Sequence, residues 1–259
     1  MTSTEAYLRL ASARAAHRAC PPVRDLLPAD DVDAAYAVQT TWLSERVATG
    51  SVVVGRKIGL TNPTVQRQLG VDQPDFGFLL DDMVCPEGVP VDVTRLLQPK
   101  IEAEVAFVLA RDLTGAEIGP EEVAAATGHV VAALEIVDSR VADWDIRIVD
   151  TVADNASSGL FVLGSEPVPL TDLTSCVMTM TRGDEVVSKG TGADCLGDPL
   201  LAVAWLARTA RDRGRPLRAG EVVLSGALGP MVSVSPGDHF RAHISGLGDV
   251  AALFSGGAS

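Results

Sequence analysis

The 259-residue sequence is poor in lysine, histidine, cysteine and aromatic side chains. Its lysines are Lys57, Lys100 and Lys189, against eighteen arginines, and aromatics make up 4% of the chain. Cys20, Cys85, Cys176 and Cys195 lie far apart and form no C-x-x-C pair, so reduced thiols are the expected state. The formal net charge of −13 leaves no basic stripe and argues against a nucleic-acid partner. Small anionic substrates stay admissible, because the local field of a site can oppose the overall charge. No apolar run approaches the roughly 18 residues of a membrane span. The N-terminus "MTSTEAYLRLASARAAHRAC" lacks a continuous apolar stretch, which predicts an ordinary helix rather than an export signal, and hence a cytoplasmic protein.

Several chemical signatures are also missing. "GTGADCLG" does not have the G-x-G-x-x-G spacing of a dinucleotide site, and neither a P-loop nor a G-x-S-x-G elbow is present. His239 and His243 are four apart but lie in a strand-like segment, so they do not form a helical zinc pair.

What is present is a large apolar fraction, 47%, sufficient for a substantial core. Residues 31–48 set Val32, Ala35, Tyr36, Trp42 and Leu43 on one helical stripe, interrupted by Gln39, with Asp30 or Asp31 as the cap. "SVVVGRKIGL" reads as a strand ending at Gly59, followed by a short helix and a Pro/Gly-punctuated loop through residue 77. Strands are predicted at 101–109, 130–137, 160–163, 176–181 and 221–225, and in the tail on both sides of Pro236-Gly237-Asp238. Helices are predicted at 119–127 and at 198–213, the latter ending on Gly214. This pattern gives an α+β protein, with an N-terminal segment over 1–80 and a β-rich core over 81–259.

The stretch "QPKIEAEVAFV" holds the main anomaly. In a strand Ile101, Ala103, Val105, Phe107 and Leu109 share one face, and Glu102 and Glu104 interrupt the other. Two carboxylates about 7 Å apart along a strand repel, and burial makes each ionised form costlier. "VVAALEIV" is likewise broken only by Glu135. A cation would relieve all three, and an all-oxygen set suits Mg²⁺ or Mn²⁺ rather than zinc. The same spacing also suits exposed edge glutamates, and Glu135 also suits a pairing with Arg140.

Lysine is so scarce that Lys57, in "GRKIGLT", invites an acid/base reading, because lysine loses its proton on desolvation and arginine does not. A structural lysine fits the same position. "DTVADNASSG" clusters Asp154, Asn155, Ser157 and Ser158 as a carboxylate-binding turn or as a simple capped one. Asp75, Asp81 and Asp82 read as ambiguous loop acids.

Taken together, "GRKIGLT", "GVDQPDFG", "QPKIEAEVAFVL", "ALEIVDSR", "DTVADNASSG", "GALGPM" and "SPGDHFRAHISGLGDV" resemble the 2-keto-4-pentenoate hydratase family. This is a branch of the fumarylacetoacetate hydrolase superfamily, and the resemblance runs from about residue 30 to the C-terminus. It implies a mixed, barrel-like β-roll with flanking helices, preceded by a smaller α/β segment. It implies Mg²⁺ or Mn²⁺ held by Glu102, Glu104 and Glu135, with Lys57 and Asp75 as acid/base groups and Ser157 and Ser158 as carboxylate contacts. The implied reaction is hydration of a 2-hydroxy-2,4-dienoate to a 4-hydroxy-2-oxo acid in aromatic catabolism. A 4-oxalocrotonate-type decarboxylase and a non-catalytic partner subunit are the alternatives. A homo-oligomer, a pentamer or decamer, is also implied, as is association with a neighbouring pathway enzyme.

Overall fold

The computed structural model describes residues 3–28, 31–62, 66 and 73–256. The short helix expected after residue 61 falls largely on 63–72, outside the described residues apart from residue 66, and so does the alternative cap Asp30.

Two helices open the chain, α1 (Ser3–Ala15) and α2 (Val32–Ala48). Asp31 caps α2, its carboxylate accepting the Ala34 amide at 2.9 Å and satisfying an N–H that the helix itself cannot pair. Ala35, Tyr36, Val38, Trp42 and Leu43 form the buried face. Gln39 belongs to that face because its amide donates to the Phe76 carbonyl at 2.8 Å and the Val152 carbonyl at 3.3 Å. The polar interruption seen in the sequence is thus a bolt between α2 and the layer beneath it.

Among the described residues there follow β1 (Val53–Gly59), β2 (Asp75–Leu80), β3 (Val84–Cys85), β4 (Val91–Asp92) and β5 (Lys100–Leu109). Next come α3 (Pro120–Ala126), β6 (Thr127–Val137), α4 (Ile148–Ala153) and β7 (Ser158–Leu163). Then β8 (Val177–Arg182), β9 (Glu185–Thr191), α5 (Pro199–Asp212) and β10 (Val222–Ala227) lead to β11 (Val232–Ser233), β12 (His239–Ile244) and β13 (Gly248–Ser255).

The larger sheet runs β2-β1-β10-β5-β6-β7-β3, with β11 also pairing β5. Its pairs are antiparallel except β1–β10 and β3–β7. The second sheet runs β4-β13-β12-β8-β9 and packs on the first through β12 and β13 against β6. The expected α+β fold with mixed sheets is therefore present. β1 and β2 lie in the larger sheet beside β10, and one apolar core runs from Leu10 through Phe107 and Phe161 to Phe254.

Position within the sheet explains the reading of β5. It is flanked on both edges, and Ile101, Ala103, Val105, Phe107 and Leu109 are all buried. Besides the two-residue strands β3 and β4, three elements were not anticipated. β2, "DFGFLL", is buried at every position, so no alternation marks it, and Pro74 and Gly77 lend it the look of a loop. β9 is a largely exposed edge strand, and α4 spans only six residues, too few to show a helical period.

Candidate metal centre and active-site cavity

The β5–β6 register sets Glu102 directly across from Glu135, with Glu104 two residues further along β5. One oxygen from each of the three lies within 4.8 Å of the others. Glu104 and Glu135 are fully buried, and Glu102 opens onto a cavity. An exposed edge pair is thereby ruled out. Arg140 is not the partner of Glu135 either: it is bound to Asp154 at 2.7 Å, while Lys57 Nζ lies 3.2 Å from Glu135 Oε1.

The backbone fixes which oxygens are left over. The Gly226 amide donates to Glu104 Oε2 at 2.7 Å. Gly226 has φ of +106°, and a Cβ there would meet Thr61 Oγ1 at 2.4 Å, so glycine is required to deliver that amide. Among the described residues, Glu104 Oε1, Glu135 Oε2 and Asp75 Oδ1 are buried and accept no hydrogen bond, and Glu135 Oε1 is met by Lys57 Nζ alone. Buried polar atoms are almost always paired, so the leftover oxygens of Glu104 and Glu135, clustered with Glu102, suit a bound cation. Burial and then the neighbouring Glu135 push the Glu102 carboxyl up to about 7. Burial, then Glu135 and Glu102, hold Glu104 well above the usual carboxylate range, and burial raises Glu135 despite Lys57. Three hard oxygen donors with unmet negative charge fit a divalent ion of the Mg²⁺ or Mn²⁺ kind.

Lys57 is buried on β1 and donates to the Ala156 carbonyl at 2.9 Å. Burial alone would lower its ammonium, but Glu135, Asp75, Glu102 and Glu104 outweigh it, so the group is raised and stays charged. Asp75 is no loop acid. It is the first residue of β2, buried, and paired in register with Gly59, where a Cβ would lie 2.2 Å from Asp75 Oδ1. Burial raises its carboxyl against the pull of Lys57. Thr151 Oγ1 donates to Asp75 Oδ2 at 3.2 Å and lies 3.3 Å from Ser157 Oγ. Thr151 has a single hydroxyl proton, so Ser157 must donate to it, and the three form a directed chain.

Asn155, Ala156 and Ser157 have φ of 56°, 52° and 51°, three successive non-glycine residues in the left-handed region. Such backbone persists only where its surroundings over-determine it. Asn155 supplies part of the restraint by accepting the Phe78 amide at 2.8 Å and donating to the Phe78 carbonyl at 2.9 Å. Asp154 supplies more through Arg140 and Arg14. The strained turn thereby aims the Ala156 carbonyl at Lys57 and Ser157 at Thr151.

The cavity holds about 460 Å³ and is lined by Lys57, Asp75, Glu102, Thr151 and Ser157, with Leu60, Val137, Trp144, Ile146 and Met231. A larger cavity of about 540 Å³, lined by Tyr36, Arg56 and Arg213, contains none of the carboxylates just described, so volume does not mark the site. Ser158 is separate from Ser157: its hydroxyl donates to the Asn155 carbonyl at 2.9 Å and it lines a different hollow, with Arg14 and Arg140. Asp81 accepts the Val52 amide and Asp82 pairs with Arg46, both away from the cavity. Thr151 was missed although it lies inside a quoted motif, because a threonine in a six-residue helix carries no local signal.

A mixed double sheet carries a buried acidic trio that could hold a divalent metal, beside a charged lysine. The chain belongs to the fumarylacetoacetate hydrolase family, whose C-terminal domain matches residues 52–254. It is 55% identical over 249 residues to a 2-keto-4-pentenoate hydratase of Burkholderia vietnamiensis, covering 95% of each chain. It is also 55% identical over 258 residues to 2-keto-4-pentenoate hydratase 1 of Dechloromonas aromatica, covering 98% of each. Among solved structures, a 4-oxalocrotonate decarboxylase from Pseudomonas putida G7, complexed with magnesium and adipate, has a TM-score of 0.93 at 35% identity over 97% of both chains.

Proposed function

We propose that this chain is a metal-dependent hydratase that converts a 2-hydroxy-2,4-dienoate to a 4-hydroxy-2-oxo acid in aromatic catabolism. The observation that carries the reading is the convergence of Glu102, Lys57 and the Asp75–Thr151–Ser157 chain on one cavity, with Glu104 and Glu135 clustered with Glu102. The identity to named hydratases, 55%, exceeds that to the decarboxylase, 35%.

Glu102, Glu104 and Glu135 would hold Mg²⁺ or Mn²⁺. When bound, the ion supplies a Lewis acid for the substrate's carboxylate and 2-oxygen. The reaction removes the enol proton, protonates C5, and then adds the elements of water across C4 and C3. Lys57 keeps a proton at Nζ within the cavity, ready for transfer to carbon. Asp75, fed by Thr151 and Ser157, takes up and returns the second proton at Oδ1, the oxygen left without a hydrogen bond. Ser157 lines the cavity, and on substrate binding its hydroxyl would turn from Thr151 to the substrate carboxylate, a role in which Ser158 is not retained.

The 0.93 structural match keeps decarboxylation as the second reading. Incubating the purified protein and Mg²⁺ with 2-hydroxypenta-2,4-dienoate and, separately, with 4-oxalocrotonate decides between them. We expect the first to yield 4-hydroxy-2-oxopentanoate; CO₂ released from the second alone would reverse the assignment. A homo-oligomer of five or ten chains, association with a neighbouring pathway enzyme and a cytoplasmic location complete the reading. Light scattering on the purified protein tests the subunit number.

A further inference from the structure

At the mouth of the cavity the turn between β6 and α4 carries its own strain. Asp143 and Trp144 have φ of 58° and 55°, a second run of non-glycine residues in the left-handed region. Gln98, two residues before β5, holds the pair in place. Its side-chain amide donates to the Ser139 and Val141 carbonyls, both at 2.8 Å, and its Oε1 accepts the Asp143 amide at 2.8 Å. Its backbone carbonyl accepts Trp144 Nε1 at 3.0 Å. Lys100 Nζ sits 4.4 Å from the centroid of the indole. Arg24 anchors the far end of the turn, donating to the Asp145 carbonyl at 2.6 Å. Thus strained backbone, one glutamine and one lysine fix a partly exposed indole in the cavity wall.

The cavity is divided by polarity. Lys57, Asp75 and Ser157 in its lining are buried, whereas the apolar Leu60, Trp144 and Ile146 are half-buried and Met231 is exposed, so the apolar wall lies toward solvent. Lys57 is the single cation among the described residues that line it, and its ammonium already serves Glu135 and Ala156. A 2-oxo acid with its head at the acidic end lays its tail on the outer wall. An alkyl tail gains burial there, whereas a carboxylate would lose water and could find a partner only by drawing Lys100 off the indole.

We propose that Trp144, positioned by Gln98, is the residue that reads the substrate beyond C5, favouring an uncharged alkyl tail over no tail and over a carboxylate. This rests on the reading of the cavity as a 2-oxo acid site. Calorimetric titration of Mn²⁺-loaded protein with 2-oxopentanoate, 2-oxohexanoate and 2-oxoadipate tests it, since the three share a head and differ only at the sixth carbon. The wild-type protein is expected to bind 2-oxohexanoate about threefold to tenfold tighter than 2-oxopentanoate, roughly what burial of one methylene gains. It is expected to bind 2-oxohexanoate at least about tenfold tighter than 2-oxoadipate, the cost of stripping water from the second carboxylate and Lys100 from the indole. Trp144→Ala should erase the first preference with Mn²⁺ affinity unchanged. Gln98→Leu, which keeps the indole and its bond to the backbone carbonyl but removes the three side-chain hydrogen bonds that brace the turn, should shrink the same ratio, a change that general loosening of the fold would not produce selectively. Equal or tighter binding of 2-oxoadipate by the wild type overturns the proposal. So does an unaltered ratio in variants that still bind Mn²⁺. If neither dienoate is turned over but the binding series holds, the hydration reading falls and this one stands. Failure of all three acids to bind removes both.

Discussion

Each glutamate of the trio is tied to a different neighbour, and that decides what its replacement does. Glu104 already spends one oxygen on the Gly226 amide, Glu135 faces Lys57, and Glu102 faces the cavity. Glu102→Gln or Glu135→Gln is expected to weaken Mn²⁺ binding by more than about 100-fold, above the loss typical of supporting residues, with the far-UV spectrum unchanged. Calorimetry measures this, and wild-type affinity in either variant would remove that ligand from the set. Lys57→Met should leave Mn²⁺ binding equal or tighter, because a positive charge has gone, while turnover falls about 10²- to 10⁴-fold. The trio could be picked out in the sequence because a carboxylate inside an apolar strand is costly and therefore conspicuous. Thr151 could not, since its contact with Asp75 spans 76 positions and leaves no local trace. Nor could two adjacent serines be told apart when only the backbone turn decides which one faces the cavity.

Strand pairing, more than any single side chain, sets the place of Asp75. β1 and β2 approach so closely at Gly59 and Asp75 that a methyl group at 59 would overlap the carboxylate. Gly59→Ala is expected to abolish turnover by moving Asp75 while Mn²⁺ still binds, as kinetics and calorimetry on one sample would show. Retained activity would mean that Asp75 tolerates displacement. Between helix and sheet, Gln39→Leu strips the Phe76 and Val152 carbonyls of their donor. A loss of about 1–3 kcal/mol in urea unfolding is expected for the exposed penalty of buried, unpaired carbonyls. β5 and β6 could be read because their polar exceptions stand out against alternating or continuous apolar runs. β2 could not, because complete burial erases the alternation by which a strand is recognised.

At the scale of the whole molecule, the carboxylates connect folding to pH. The Glu102 carboxyl rises from an ordinary value of 4.5 to about 7 on folding. Without metal, the folded chain therefore binds more protons than the unfolded one between those values. Stability from this source is full below about 4.5 and is lost as pH climbs through 7. Thermal scans of metal-free protein should show Tm falling from pH 5 to pH 7.5, and saturating Mn²⁺ should flatten that slope. A flat metal-free profile would count against burial of the trio. The parallel β1–β10 pair, which joins Lys57 to Leu224, has no counterpart in local sequence pattern, so the sheet order was accessible only through family resemblance.

The Gly226 amide that orients Glu104 comes from a strand 122 positions later in the chain. A chain ending before β10 would lack this restraint, so the acidic trio takes its final geometry only when β10 pairs with β5.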